Sequence, residues 1–300
     1  MLAEDMNNPL VSICCICYNQ EHYIKDALEG FVSQETSFPF EIVISDDCSS
    51  DSTKDIICEY IQAFPLLFRD VSPTKNLGSL SNFIHVQEEA KGKYIALCEG
   101  DDFWTDHLKL QKQIDFLENN PDYTLCFTNC LVNNNGQKSK GNVFLWDTYF
   151  TRDLLLHNSL GVKKRGDSIV PPGHTSTLVY RKPNASYPKW LQKCFIGDEP
   201  LFIWLSTFGK AKFINCVTSN YRQGIGISTS NYTFESDSIQ RIRMYNHIDK
   251  GLRFKYHALI HSNIIASYFV LLAKRAYKQK KYPKTALFLL RSLLNRIQII

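Results

Sequence analysis

Three short, mostly apolar runs, Val11–Cys17, Glu41–Ser45 and Tyr94–Cys98, each stop at a polar or acidic turn. The first is followed by a helical spacing of Ile24, Ala27, Leu28, Phe31 and Val32, the second by Ile56, Ile57, Tyr60, Ile61 and Phe64. Leu80–Ala90 reads as a further helix ahead of the third run, and a short strand is expected near Leu66–Val71. Strands that alternate with helices in this way build a mainly parallel α/β sheet with helices on both faces. Ligands of such sheets sit beyond the carboxyl ends of the strands.

Acidic side chains collect at two of those ends. Asp46, Asp47 and Asp51 follow the second run, and Glu99, Asp101 and Asp102 follow the third. Like charges beside a buried run repel one another, and a divalent cation held by oxygen ligands relieves that repulsion. A hard cation at a strand end in turn suggests a bound phosphate. The competing reading is an acidic turn that caps a helix starting near His107, with Asp106 as its N-cap.

Taken together, Val11–Asn19, Glu41–Thr53 and Gly92–Trp104 resemble the three ordered motifs of the inverting family 2 glycosyltransferases with a GT-A fold, over roughly residues 9–230. The resemblance implies that Tyr18, Asp46 and Asp47 lie at the nucleotide, with the Asp47 carboxylate accepting from the uracil N–H. It puts Glu99-Gly100-Asp101 at the DxD position, with Asp101 on Mn²⁺ or Mg²⁺ and with Glu99 and Asp102 beside the nucleotide-sugar. A divalent ion suits this chemistry, because departure of a diphosphate develops negative charge.

Inverting transfer also needs a base. Asp198 and Glu199 open an apolar helix that the resemblance aligns with the family's base-bearing helix, with Asp198 on the base and Glu199 as the fallback. N-terminal capping is the alternative role for both carboxylates. Pro171–Tyr180 matches the family's acceptor-lining segment, which makes His174 a candidate acceptor contact together with Trp104 and Trp204; an ordinary hydrogen-bonded histidine is the alternative. Tyr221–Ser228 matches a late loop that closes over the diphosphate. Gly224 stands where relatives often carry His, and Arg222 is a charge partner for phosphate or else a surface arginine.

A net charge of +4 over 300 residues is too small to imply nucleic acid. Cys14 and Cys17 form a CxxC, but residues three apart on a strand point to opposite faces and no second pair completes a zinc site. The ten cysteines therefore read as free thiols, and with no signal peptide expected the chain is assigned to the cytoplasm. Asn133–Gly141 reads as a turn-rich loop.

The expected division is a catalytic domain over residues 1–230 and a helical extension over 231–300. In the extension, a mobile connector (231–238) precedes helices at 239–250, 254–278 and 283–296. Lys and Arg interleave with Leu and Phe over residues 274–296, a pattern that suits either an anionic membrane surface or a hairpin packed on protein. The expected activity is transfer of a hexose or N-acetylhexosamine from a UDP-sugar to a glycan, with a lipid-diphosphate-linked saccharide of O-antigen or capsule assembly as acceptor. The alternatives are a non-catalytic nucleotide- or glycan-binding protein on the same fold and a sugar-phosphate nucleotidylyltransferase. The latter needs a basic Gly-rich loop after the first strand, which Tyr18–His22 does not supply.

Overall fold

Strands β1 (Val11–Cys17) and β2 (Phe40–Asp46) are buried along nearly their whole length. Burial on both faces is why their sequences run apolar instead of alternating. On one face Val11, Ile13, Cys15 and Cys17 pack with helices α1 (Ile24–Val32), α2 (Thr53–Ala63) and α4 (Lys109–Asn119). On the other, Cys14 donates its thiol to Val86 O of α3 (Ser79–Glu88) at 3.6 Å, so the two CxxC sulfurs point apart. Each fully buried Ile, Leu or Phe of this core contributes about 1.5–3 kcal/mol.

The computed structural model describes residues 8–134, 137–140, 164–165, 168–169, 173–225 and 233–297. Beyond β1 and β2, the sheet takes in β3 (Phe68–Asp70), β4 (Tyr94–Leu97), β5 (Phe103–Trp104), β6 (Tyr123–Asn134) and β7 (Gln137–Lys140). After the short antiparallel pair β8 (Lys164–Arg165) and β9 (Ser168–Ile169) it is completed by β10 (Val179–Arg181) and β11 (Lys210–Arg222). The order is β3-β2-β1-β4-β10-β6-β11-β5, with β7 on β6. β1, β2, β3 and β4 pair in parallel, as do β6 and β11, whereas β10, β5 and β7 run antiparallel to their neighbours. The α/β expectation is met. Two local expectations change: within the segment expected as a loop, Asn133 and Asn134 pair with Lys138 and Gln137 as antiparallel strand, and Asp106 stands one turn before α4, its carboxylate accepting from Leu108 N–H at 3.0 Å.

The described residues gather into two compact units. The first holds the nine-stranded sheet, with residues 173–187 and 204–225; the second holds 164–165, 168–169, 188–203 and 233–297. Residues 188–203 thus go with the C-terminal helices, although the sequence suggested a single division at 230. The second unit contains most of α5 (Asp198–Leu205), then α6 (Phe234–Gly251), a π-helical stretch Leu259–Ile265, α7 (Ala266–Lys278) and α8 (Tyr282–Ile297).

The segment expected as a mobile connector is helical from Phe234. Thr233 supplies the cap by accepting from Ser236 N–H at 3.2 Å, and Glu235 and Asp237 complement the helix dipole. The helix expected over 254–278 is interrupted, because Arg253 and Phe254 adopt left-handed φ values of 53° and 59° and the π-helical stretch follows. Among the described residues no helix is long and apolar enough to cross a membrane.

Candidate functional site

Parallel pairing brings the carboxyl ends of β1, β2 and β4 to one edge of the sheet. Cys98 N–H donates to Cys14 O at 3.2 Å and Gly100 N–H to Ile16 O at 3.0 Å, so the β1–β4 ladder continues past Leu97 into the acidic turn. Gly100 packs this turn closely against Gln20 and Ile24. A Cβ at this position would stand 2.5 Å from Gln20 Oε1 and 2.8 Å from Ile24 Cδ1. Asp102 N–H closes the turn on Glu99 O at 3.1 Å.

Glu99, Asp101 and Asp102 each offer a carboxylate oxygen within 4.8 Å of the others. Asp101 and Asp102 are buried, at 5% and 1% exposure. Asp102 Oδ1 accepts from the Arg222 backbone N–H at 2.9 Å, whereas Asp101 Oδ1 is buried with no hydrogen-bond partner. Burial pushes both carboxyls above the usual range, and the charge of Asp101 pushes Asp102 further. A buried polar atom left unpaired costs about 1–3 kcal/mol, and more when it is charged. Three clustered oxygen donors, one of them unsatisfied, fit a hard divalent cation, whose charge would favour the ionised carboxylates.

Arg222 holds this cluster from β11. Its guanidinium donates to Asp101 O at 2.8 Å, pairs with Asp26 and lies 4.5 Å from the centre of the Phe103 ring. Arg222 is therefore a buried strand residue, neither a loop residue nor a surface arginine, and its charge is engaged by Asp26. Gln223–Ile225 follow as a turn with Gly224 at φ 92°; the rest of the expected closing loop, 226–228, lies outside the described residues, as do Pro171 and Pro172.

His174 opens a 3₁₀ turn, Thr175–Thr177, with its Nδ1 accepting from Ser176 N–H at 3.4 Å. The ring stacks on Tyr221 with centroids 3.9 Å apart, and Nδ1 lies 3.5 Å from Asp102 Oδ2. Burial pushes the imidazole down to about 4. At neutral pH it is uncharged, and its contact with Asp102 is not an ion pair.

Trp104 and Trp204, expected at the acceptor, are core residues here. Trp104 is 4% exposed, packs on Phe31 at 5.0 Å and donates its indole N–H to Ser176 O at 2.9 Å, so it fixes the turn that carries His174. Trp204 is 6% exposed and lies between Tyr187 and Phe208.

The turns after β1 and β2 are laced together. Asn19 N–H donates to Ser49 Oγ at 2.8 Å, its side chain accepts from Ser50 N–H at 2.8 Å, and Gln20 N–H reaches Thr53 Oγ1 at 2.7 Å. Half-buried Tyr18 is thereby held beside the acidic turn. Asp46 Oδ2 accepts from Ser49 N–H at 3.1 Å. Asp47 Oδ1 and Oδ2 accept from Leu77 and Gly78 N–H at 2.7 and 2.9 Å, so the loop Asn76–Gly78, absent from the sequence expectations, forms part of this edge. Its signal was the Asn-x-Gly turn composition.

In the second unit Asp198 opens α5 and is half-buried. Glu199 is buried, receives Arg241 Nη1 at 2.8 Å and the Tyr245 hydroxyl, and has its carboxyl raised by burial. Glu199 is thus the centre of a buried ion pair.

A mainly parallel sheet with a laced acidic turn and a DxD-like carboxylate cluster at adjoining strand ends is the architecture of the GT-A fold class. The chain belongs to glycosyl transferase family 2, whose profile matches residues 12–182. It is 51% identical over 117 residues to an uncharacterized protein of Mycobacterium tuberculosis, across 39% of this chain and 34% of that protein. It is 36% identical over 110 residues to the putative teichuronic acid biosynthesis glycosyltransferase TuaG of Bacillus subtilis, across 36% of this chain and 42% of TuaG. The chain thus spans about a third of the mycobacterial relative's length. Among solved structures it resembles residues 1–349 of S. aureus TarS in complex with UDP-GlcNAc, with a TM-score of 0.56 at 14% identity over 93% of this chain and 90% of that fragment. It also resembles the mannosyltransferase PcManGT of Pyrobaculum calidifontis in complex with GDP-Man and Mn²⁺, with a TM-score of 0.53 at 13% identity over 97% and 87% of the two chains. These two likenesses concern the fold.

Proposed function

We propose that the chain transfers a hexose or N-acetylhexosamine, with inversion, from a UDP-sugar to a lipid-diphosphate-linked glycan of O-antigen or capsule assembly. The observation that carries this reading is the buried, unpartnered Oδ1 of Asp101 among three carboxylates at the strand edge. Asp101 would hold Mn²⁺ or Mg²⁺, with Asp102 and Glu99 ordering that side of the site. The bound cation supplies Lewis-acid neutralisation of the departing diphosphate. Tyr18, Asp46 and Asp47 form the nucleoside end, the two aspartates keeping the turn rigid for the base. Asp198 is the base that takes the acceptor hydroxyl proton; Glu199 is already committed to Arg241 and Tyr245, which favours Asp198 over it. His174, neutral and beside Asp102, is the remaining acceptor-side candidate.

The tail supports a peripheral membrane role at the inner face of the cytoplasmic membrane. α8 buries Phe288 and Ser292 while Leu287, Leu289, Leu290, Leu293, Leu294 and Ile297 are 44–54% exposed, and Arg291 and Arg296 flank them. Ten free thiols suit a reducing compartment.

The test is a screen of UDP- and GDP-sugars for metal-dependent donor hydrolysis and thermal protection, with Asp101→Asn alongside. A UDP-sugar is expected to protect only with Mn²⁺ or Mg²⁺, and the variant to lose both effects, with turnover down by about 10²–10³-fold. Full activity of Asp101→Asn, or activity unchanged in excess chelator, would sink the metal assignment; exclusive response to GDP-sugars would replace the donor.

A further inference from the structure

Asp249, on the last turn of α6, is 1% exposed and lies near His257 and His261. The left-handed pair Arg253 and Phe254 reverses the chain after α6, with Phe254 N–H donating to Asp249 O at 2.9 Å. His257 Nδ1 then stands 2.7 Å, and His261 Nε2 3.3 Å, from Asp249 Oδ2. The two rings stack with centroids 4.1 Å apart. Asp249 Oδ1 is buried and has no hydrogen-bond partner.

The tautomer of His261 follows from its other neighbour. Asn295 donates Nδ2–H to Arg291 O at 2.8 Å, which turns its Oδ1 toward His261 Nδ1, also at 2.8 Å. The reverse amide orientation would set two acceptor oxygens against each other, so Asn295 Oδ1 accepts and His261 Nδ1 carries the hydrogen. With Nδ1–H given to Asn295, His261 turns Nε2 to a carboxylate oxygen, and either a proton or a bound cation stands between the two. A ring N–H given to an outer oxygen while the other nitrogen faces a carboxylate is the arrangement that orients a metal-ligating histidine.

We propose that Asp249, His257 and His261 form a binding site for a borderline divalent transition ion, Zn²⁺ by ligand class, built into the C-terminal helical unit and separate from the Asp101 cluster. Tetrahedral bonds of 2.0–2.1 Å set ligand atoms roughly 3.3 Å apart. The Asp249–His261 separation already has that value, while His257, whose side chain is 35% exposed, moves outward by about 0.6 Å and ligates through Nδ1 as the tautomer with its hydrogen on Nε2. Asp249 Oδ1 or water completes the set. The His-x-x-x-His spacing is the i, i+4 helical pair familiar from zinc sites, and the π-helical stretch that begins between the two residues adjusts their phase. The ion would pin the end of α6 to the next helix and, through Asn295, to α8.

The test uses the full chain carrying Asp101→Asn, so that the strand-edge carboxylates do not contribute, and Zn²⁺ alone as probe, titrated against a chromophoric chelator. One equivalent is expected, with a rise in melting temperature reversed by chelation. His257→Gln and His261→Gln, each checked for folding by circular dichroism, should weaken binding by at least about 100-fold, and Asn295→Ala by about 10-fold. If His261→Gln does not fold, the more exposed His257→Gln decides. Less than one equivalent in the parent chain, or undiminished affinity in folded His257→Gln, would overturn the site and leave a hydrogen-bonded Asp–His pair.

Discussion

Arg222 donates its backbone N–H to Asp102 Oδ1 at 2.9 Å, closing a bond between residues 120 positions apart in sequence. The same residue's guanidinium reaches Asp101 O and pairs with Asp26, so one strand end braces both aspartates of the acidic turn. Arg222→Met keeps the backbone bond and removes the guanidinium. Because outer groups that orient metal ligands typically matter 10–100-fold, Mn²⁺-dependent UDP binding is expected to weaken by about that much in calorimetric titration. Unchanged affinity would show that the brace does not matter.

The two carboxylates that open α5 should separate cleanly. Asp198→Asn is expected to lower turnover by about 10²–10⁴-fold at nearly constant UDP affinity and melting temperature, as befits loss of a base. Glu199→Gln leaves Arg241 without its buried partner and should destabilise the fold by about 3 kcal/mol, lessened because Asp237 also lies 3.1 Å from Arg241. Turnover, UDP affinity and urea midpoints on both variants decide it. The reverse pattern would move the base to Glu199.

Lys109 is fully buried, over the Trp104 ring at 4.6 Å and bonded to Gln113, and burial pushes its ammonium down to about 8 from 10.5. Below pH 8 both folded and unfolded chains hold the proton, and the folded state bears the cost of burying it. Between pH 8 and 10.5 the unfolded chain holds more protons, so this residue's contribution to stability rises with pH across that window. Relative to Lys109→Met, the wild type should gain about 2 kcal/mol between pH 7 and pH 10 in urea unfolding. A flat difference between the two proteins would mean that the amine is not buried as a cation.

The exposed leucines of α8 give the membrane reading a direct check. Attraction of basic residues to anionic lipid adds to apolar insertion and is screened by salt. Sedimentation with anionic vesicles should be strong at low salt and weak at high salt, absent with neutral vesicles, and lost on replacing Leu290 and Leu294 with Ser. Negligible binding of the parent chain to anionic vesicles would refute it.

Much of the sheet half was readable because its signals are local. The buried runs of β1, β2 and β4 announce strands covered on both faces, and the acidic turns mark their carboxyl ends. Composition over Asn133–Gly141 favours a turn-rich loop, while pairing with β6 makes Gln137–Lys140 a strand. The tail boundaries failed for a related reason: Thr233 was available as a cap in the sequence, yet a polar stretch does not show which hydroxyl finds a free N–H.

The sequence by itself determined the strand–turn–helix alternation, the motifs that place the chain in its family and the grouping of Glu99, Asp101 and Asp102, because each depends on residues a few positions apart. Only the tertiary structure decided what those groups touch. It turned Trp104 and Trp204 into the core, tied Arg222 to Asp26, bound Glu199 to Arg241 and Tyr245, and set Asp249 against His257 and His261. The physical reason is that burial and partner choice are properties of packed surfaces: the same carboxylate is a ligand, a base or half of an ion pair according to the donor that the fold brings within about 3 Å.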